Sequence, residues 1–76
     1  MKIRYDQDAD ILYIKFTDGE NYEGEYLTKG IIINYDKSGN ILSMEILSVS
    51  KRFPLKDTLS YTFEVTPSLR HELLKS

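Results

Sequence analysis

The chain has no cysteine and no tryptophan, a single histidine, two prolines and four glycines. Without cysteine there is no disulfide to staple a small fold, no thiol nucleophile and no thiolate zinc site. With His71 as the sole imidazole, a histidine-rich metal centre within one chain is excluded as well. The glycines stand apart at 19, 24, 30 and 39, so no glycine-rich loop is present to cradle phosphate. No apolar run approaches the roughly 18 residues of a membrane span, and no signal-peptide pattern opens the chain. A cytoplasmic protein without membrane contact is the expectation. Nor does one sign of charge dominate: ten basic and twelve acidic residues leave a net charge of −2.

What is present fits one small domain over residues 1–76, with 41% apolar and 29% charged residues. A chain this short buries only about 60–65% of the surface that its unfolded form exposes. The charge is unevenly spread. Residues 1–46 hold five basic and nine acidic side chains, and residues 47–76 hold five basic and three acidic. Nucleic-acid binders carry basic stripes that displace counterions from phosphate. The one basic cluster here is Lys51, Arg52 and Lys56, which makes a weak footprint. The acidic N-terminal part suits a small basic protein partner better than DNA.

Period-two alternation dominates and argues for strands. The pattern predicts strands near 2–6, 10–17, 22–27, 30–36, 40–47 and 59–65. Apolar residues on both faces of 10–17 make that strand central. Glu23, Gly24 and Glu25 suggest an edge or a bulge in the third strand. Asp36-Lys37-Ser38-Gly39-Asn40 is the clearest hairpin loop. Residues 47–53 suit a single helical turn or an irregular corner. Leu59, Tyr61, Phe63 and Val65 alternate strictly with polar residues. Thr66-Pro67 then caps a helix near 67–75 with Leu69, Leu73 and Leu74 on one face. The expected class is α+β, an antiparallel sheet of five or six strands with a C-terminal α-helix. The expected core is Ile3, Tyr5, Leu12, Ile14, Phe16, Ile31, Ile33, Leu42, Met44, Ile46 and Phe63.

The opening Met1-Lys2-Ile3-Arg4-Tyr5-Asp6, with Asp8-Ala9-Asp10 and Leu12-Tyr13-Ile14, forms a distinctive order of elements. Gly30-Ile31-Ile32-Ile33-Asn34-Tyr35-Asp36, a Gly-Asn turn, Met44-Glu45-Ile46-Leu47 and Ser50-Lys51-Arg52 continue it. Over residues 1 to about 53 the chain resembles domain-of-unknown-function family 2283, small β-rich domains of bacteria and archaea. Ser43-Met44 stands where that family usually has Gly-Ile. The resemblance implies a small, mostly antiparallel β domain with a β meander over this part; the strand and helix over 54–76 lie outside it and rest on the alternation and the Thr66 cap. It also implies no established enzymatic activity. Some relatives look like the antitoxin half of small toxin–antitoxin pairs. No catalytic or binding residue carries over.

Asp6-x-Asp8-x-Asp10 invites a calcium reading, but a calcium loop needs glycine at its sixth position and glutamate at its twelfth. Counted from Asp6, those positions hold Ile11 and Thr17. Turn chemistry explains these aspartates better, and it also accounts for Asp36, Ser38 and Asn40. His71 on a short helix lacks the pocket and orienting partner of a general base. The expectation is therefore no catalytic residue, no metal and no cofactor. The six tyrosines suit sheet packing or an interface. A non-enzymatic protein-binding module results, with an antitoxin-like role in view. Its expected assembly is a homodimer, with candidate interface residues Tyr13, Tyr61, Phe63, Leu69 and Leu73. Two alternatives stand beside it: a nucleic-acid module using Lys51, Arg52 and Lys56, and an enzyme whose site forms between subunits.

Overall fold

The computed structural model describes residues 1–67 of the chain. It holds strands β1 (Lys2–Asp6), β2 (Ile11–Lys15), β3 (Glu23–Thr28), β4 (Ile31–Tyr35) and β5 (Ile41–Leu47). A 3-10 turn (Val49–Lys51) and one short helix, α1 (Leu55–Thr58), follow. Among the described residues the protein is thus mostly β, with little helix. All pairings are antiparallel, and the sheet order is β1-β2-β5-β4-β3. This corrects the single meander. β5 returns to lie beside β2, so the last four strands have Greek-key order.

The link from β2 to β3 passes the end of β5. Phe16 and Thr17 donate their N–H groups to the Leu42 carbonyl at 2.8 and 3.3 Å. Tyr22 N–H reaches the Tyr35 carbonyl at 2.8 Å. The register of β5 against β4 shifts between Asn34 and Tyr35. An extra residue, Leu42, is accommodated there, as in a β-bulge. Its side chain turns to the same face as Ser43 and lines one hollow with Arg4 and Tyr13. The alternation had grouped Leu42 with Met44 and Ile46. Leu42 is buried as expected, but on the opposite face.

The two faces of the sheet differ in chemistry. One carries cross-strand rows of apolar groups: Ile3–Ile14–Met44–Ile33 and Tyr5–Leu12–Ile46–Ile31. The other carries Lys2, Arg4, Tyr13, Lys15, Ser43, Glu45 and Asn34, with half-buried Ile11, Ile32 and Leu47 among them. The buried apolar side chains among the described residues are Ile33, Leu42 and Val49. Three core expectations need correction. Ile3 is 43% exposed because β1 is an edge strand, and Phe16 is 38% exposed just beyond the end of β2. Phe63 is 76% exposed. Of the other members, Ile33 and Leu42 are buried, and Tyr5, Leu12, Ile14, Ile31, Met44 and Ile46 are half-buried.

No strand forms at 59–65. A strand exists only through a ladder partner, and residues 59–65 pair with neither edge of the sheet. Pro54 and α1 carry the chain across the apolar face. Phe53, Thr58 and Tyr61 there enclose a hollow of about 350 Å³ with Ile3, Leu12 and Ile14. Alternation without pairing leaves the segment in no regular structure. The helix expected near 67–75 lies outside the described residues.

Candidate functional site

The densest polar cluster centres on Asp10, which closes the β1–β2 turn with a left-handed backbone (φ 58°). Tyr5 donates its hydroxyl to Asp10 Oδ1 at 2.6 Å. The Ser50 N–H and hydroxyl also donate to this carboxylate, at 3.0 and 2.6 Å. Val49 N–H reaches the Asp10 carbonyl at 3.2 Å. One residue therefore ties the first hairpin to the turn after β5. The Ser50 hydroxyl, and then Tyr5, hold the Asp10 carboxyl below its ordinary range. Asp6 Oδ1 meanwhile accepts the N–H groups of Asp8 and Ala9 at 3.1 and 3.0 Å. Asp36 does the same for its loop, accepting from Ser38 N–H, Asn40 N–H and the Asn40 amide at 2.8–3.0 Å. Asp6 and Asp36 act as turn groups, the chemistry expected of them from the sequence, whereas the long-range latch of Asp10 onto Ser50 goes beyond it.

The basic cluster read from the sequence is divided between elements. Arg52 donates Nε–H to the Leu47 carbonyl at 2.8 Å. Its guanidinium packs against buried Gly30, where an added Cβ would lie 2.6 Å from Nη2. Arg52 is thus bound to its own backbone. Lys51 ends the 3-10 turn and contributes to lowering the Asp10 carboxyl. Lys56 is exposed on α1. The three do not form one continuous strip on a single element.

The interface candidates are also separated. Tyr13 is half-buried on the polar face, with the Arg4 guanidinium 4.5 Å from its ring centre. Tyr61 and Phe63 are exposed, and Tyr61 borders the hollow on the apolar face. Tyr13 and Tyr61 therefore serve opposite sides of the sheet. Leu69 and Leu73 lie outside the described residues.

One grouping escaped the sequence reading. Lys2 and Lys15 are directly opposed across β1 and β2, with Arg4 one row further along. Their positions in the alternation put each on the polar side of its own strand. Only the register brings them together. β3 is exposed along its whole length and forms the far edge, with Glu23 and Glu25 on the apolar side. Tyr35 bonds to Glu25 there, and burial first, then that bond, raises the Tyr35 hydroxyl above its ordinary 10.0. No helix among the described residues is long and apolar enough to cross a membrane.

A family model described as "Protein of unknown function (DUF2283)" matches residues 2–50. No curated protein and no solved structure matches the chain.

Proposed function

The chain belongs to the DUF2283 family, and from that premise we propose that it is a non-enzymatic protein-binding module that works as a homodimer. The observation that carries this reading is the apolar face. Ile3, Leu12, Ile14 and Ile46 form one wall of an open hollow, and Phe53 and Tyr61 cross above them without filling it. Leu59, Phe63 and Val65 continue the exposed apolar surface along the same segment. Exposed apolar area of this kind marks an interaction surface, and symmetric assembly uses one patch twice. A second copy is the occupant we assign to it.

The opposite end of the sheet suits a different partner. β3 offers unpaired main-chain groups beside Glu23 and Glu25. Self-pairing there would oppose like charges, which is unfavourable, whereas an extended basic segment of another protein would be matched. An antitoxin-like role, masking a small basic protein, is the specific form of this reading.

Sedimentation equilibrium at micromolar concentration tests the assembly. The expected mass is twice that of the 8.9 kDa chain. Phe63→Lys or Tyr61→Lys should return the single-chain mass with an unchanged β-type circular-dichroism spectrum, because both side chains are exposed. Lys37→Glu should leave the dimer intact. A single-chain mass across the concentration range overturns the reading. Reversing Glu23 and Glu25 to lysine should abolish capture of a basic partner in a native pull-down without altering self-assembly.

A further inference from the structure

The polar face holds a second feature, independent of the assembly reading. Where β1, β2 and the bulge of β5 meet the link after β2, a hollow of about 270 Å³ opens. Lys2, Arg4 and Lys15 stand around it. Thr17, Asn21 and Ser43 add hydroxyl and amide groups to its wall. Its floor is apolar: buried Leu42, the Tyr13 ring, and Gly19, whose missing side chain lets the link approach (an added Cβ would lie 2.6 Å from Leu42 Cδ2).

Three charges of one sign here run against the net charge of the chain. Like charges directly opposed across strands are destabilising, and Lys2 opposes Lys15. Among the described residues, the carboxylate in ion-pair contact with them is Asp18, almost fully exposed and 2.6 Å from Lys15; Glu45 stands in the row of Arg4 and Tyr13 and accepts from the Asn34 amide. Arg4 is held over the Tyr13 ring by a cation–π contact, its guanidinium carbon 4.5 Å from the ring centre, which leaves N–H donors for an anion.

We propose that this hollow binds the phosphate group of a small phosphate monoester carrying an apolar or aromatic body. The cations and hydroxyls take the phosphate, and Leu42 with Tyr13 supports the body. The volume, about 270 Å³, lies just below the range of about 300–1,000 Å³ for drug-sized small-molecule pockets. That size favours a single small ester over an extended chain.

Backbone amide NMR with phenyl phosphate, inorganic phosphate, phenol and a single-stranded oligonucleotide as probes tests this. Phenyl phosphate should give saturable shifts confined to β1, β2, residues 16–21 and residues 42–43. Inorganic phosphate should bind the same residues more weakly, for want of the apolar floor, and phenol should give no saturable shift there. Lys15→Gln and Arg4→Gln should each weaken phenyl phosphate about threefold to tenfold. Asp18→Asn should strengthen it about twofold by removing the competing carboxylate. Lys56→Gln should change nothing. These exposed substitutions leave the core intact, and the amide spectrum itself reports the fold. Absence of saturation, equal shifts with phenol, or indifference to Lys15→Gln overturns the proposal. Binding of the oligonucleotide alone in this hollow would overturn it too, by making the surface a nucleic-acid site.

Discussion

Asp10 shows how one carboxylate organises three segments that are distant in sequence. Its bonds to Tyr5 and Ser50 need an ionised Asp10 and a protonated Tyr5. The Ser50 and Tyr5 bonds hold Asp10 below 3.8, and the bond to Asp10, followed by burial, raises Tyr5 above 10.0. Between the folded Asp10 value and 3.8 the unfolded chain binds more protons, so stability falls as pH drops through that window. Above 10.0 the folded chain retains the Tyr5 proton longer, so stability falls as pH rises. Urea midpoints measured against pH should therefore show a neutral plateau with losses on both sides. Asp10→Asn should lower the plateau and shallow the acid arm, leaving the part due to Asp36, which is lowered first by its bond from the Asn40 side chain. Tyr5→Phe should shallow the alkaline arm. An acid arm of the same steepness with and without Asp10→Asn would refute the latch. Gly30 offers a second test at this scale. Gly30 and Gly39 both have left-handed backbones, with φ of 86° and 87°. Left-handed strain predicts a cost of about 1–2 kcal/mol for alanine at either position. At Gly39 an added Cβ would meet nothing within 4 Å, whereas at Gly30 it would meet Arg52 and Leu47. Gly30→Ala should therefore destabilise more than Gly39→Ala in urea unfolding. Equal losses would mean that Arg52 swings aside without cost.

At the scale of elements, five strands were legible because each has a ladder partner and a turn that suits its ends. The Asp36–Asn40 loop forms the expected carboxylate-centred turn, and Gly39 takes the left-handed position. The glutamates and glycine of β3 announced its edge position and irregularity, and a register shift does occur between Tyr26 and Thr28. What was not legible depends on contacts between distant segments. Leu42 sits in phase with Met44 and Ile46 along the chain, and only the bulge against β4 turns it over. The alternation at 59–65 is as regular as any in the chain, yet pairing is a tertiary property and the segment pairs with neither sheet edge. The polar hollow was hidden for the same reason, since Lys2 and Lys15 meet through register alone. Val49 was passed over as part of an irregular corner, although it is fully buried, with 0% exposure. The 3-10 turn held by Asp10 folds it inward. Val49→Ala should cost about 2 kcal/mol, between the values typical of Ile→Val and Leu→Ala in cores. Phe63→Ala, a larger truncation at an exposed site, should leave the unfolding of the dissociated chain nearly unchanged. Chemical unfolding at low protein concentration compares the two. A larger loss for Phe63→Ala would place the core elsewhere.

Among the described residues the molecule is one five-stranded sheet with a more polar and a more apolar side, and α1 is the regular element that lies against the apolar side. Small chains that cannot close a core on themselves depend on staples or on association. Cysteine is absent, so no disulfide supplies the staple. The segment from Phe53 to Tyr61 crosses the apolar face but leaves Ile3, Phe53 and Tyr61 substantially exposed. If a second copy covers this face, folding and association are linked, and mass action makes the stability of the chain depend on its concentration. The thermal midpoint should then rise as protein concentration is raised from low to high micromolar, while the neutral-pH signal retains its β-type spectrum. Phe63→Lys should remove that dependence as well as lower the midpoint, because it abolishes the association and leaves the isolated sheet. Lys37→Glu, at the tip of the β4–β5 hairpin, should preserve the dependence. Salt separates the apolar contact from an electrostatic one. Exposed charges are screened beyond about 8–10 Å at physiological ionic strength, whereas apolar burial is insensitive to that screening. The concentration dependence should therefore persist in added salt. A midpoint that stays constant across the concentration range would mean that the single chain covers its own apolar face, and the homodimer would be abandoned.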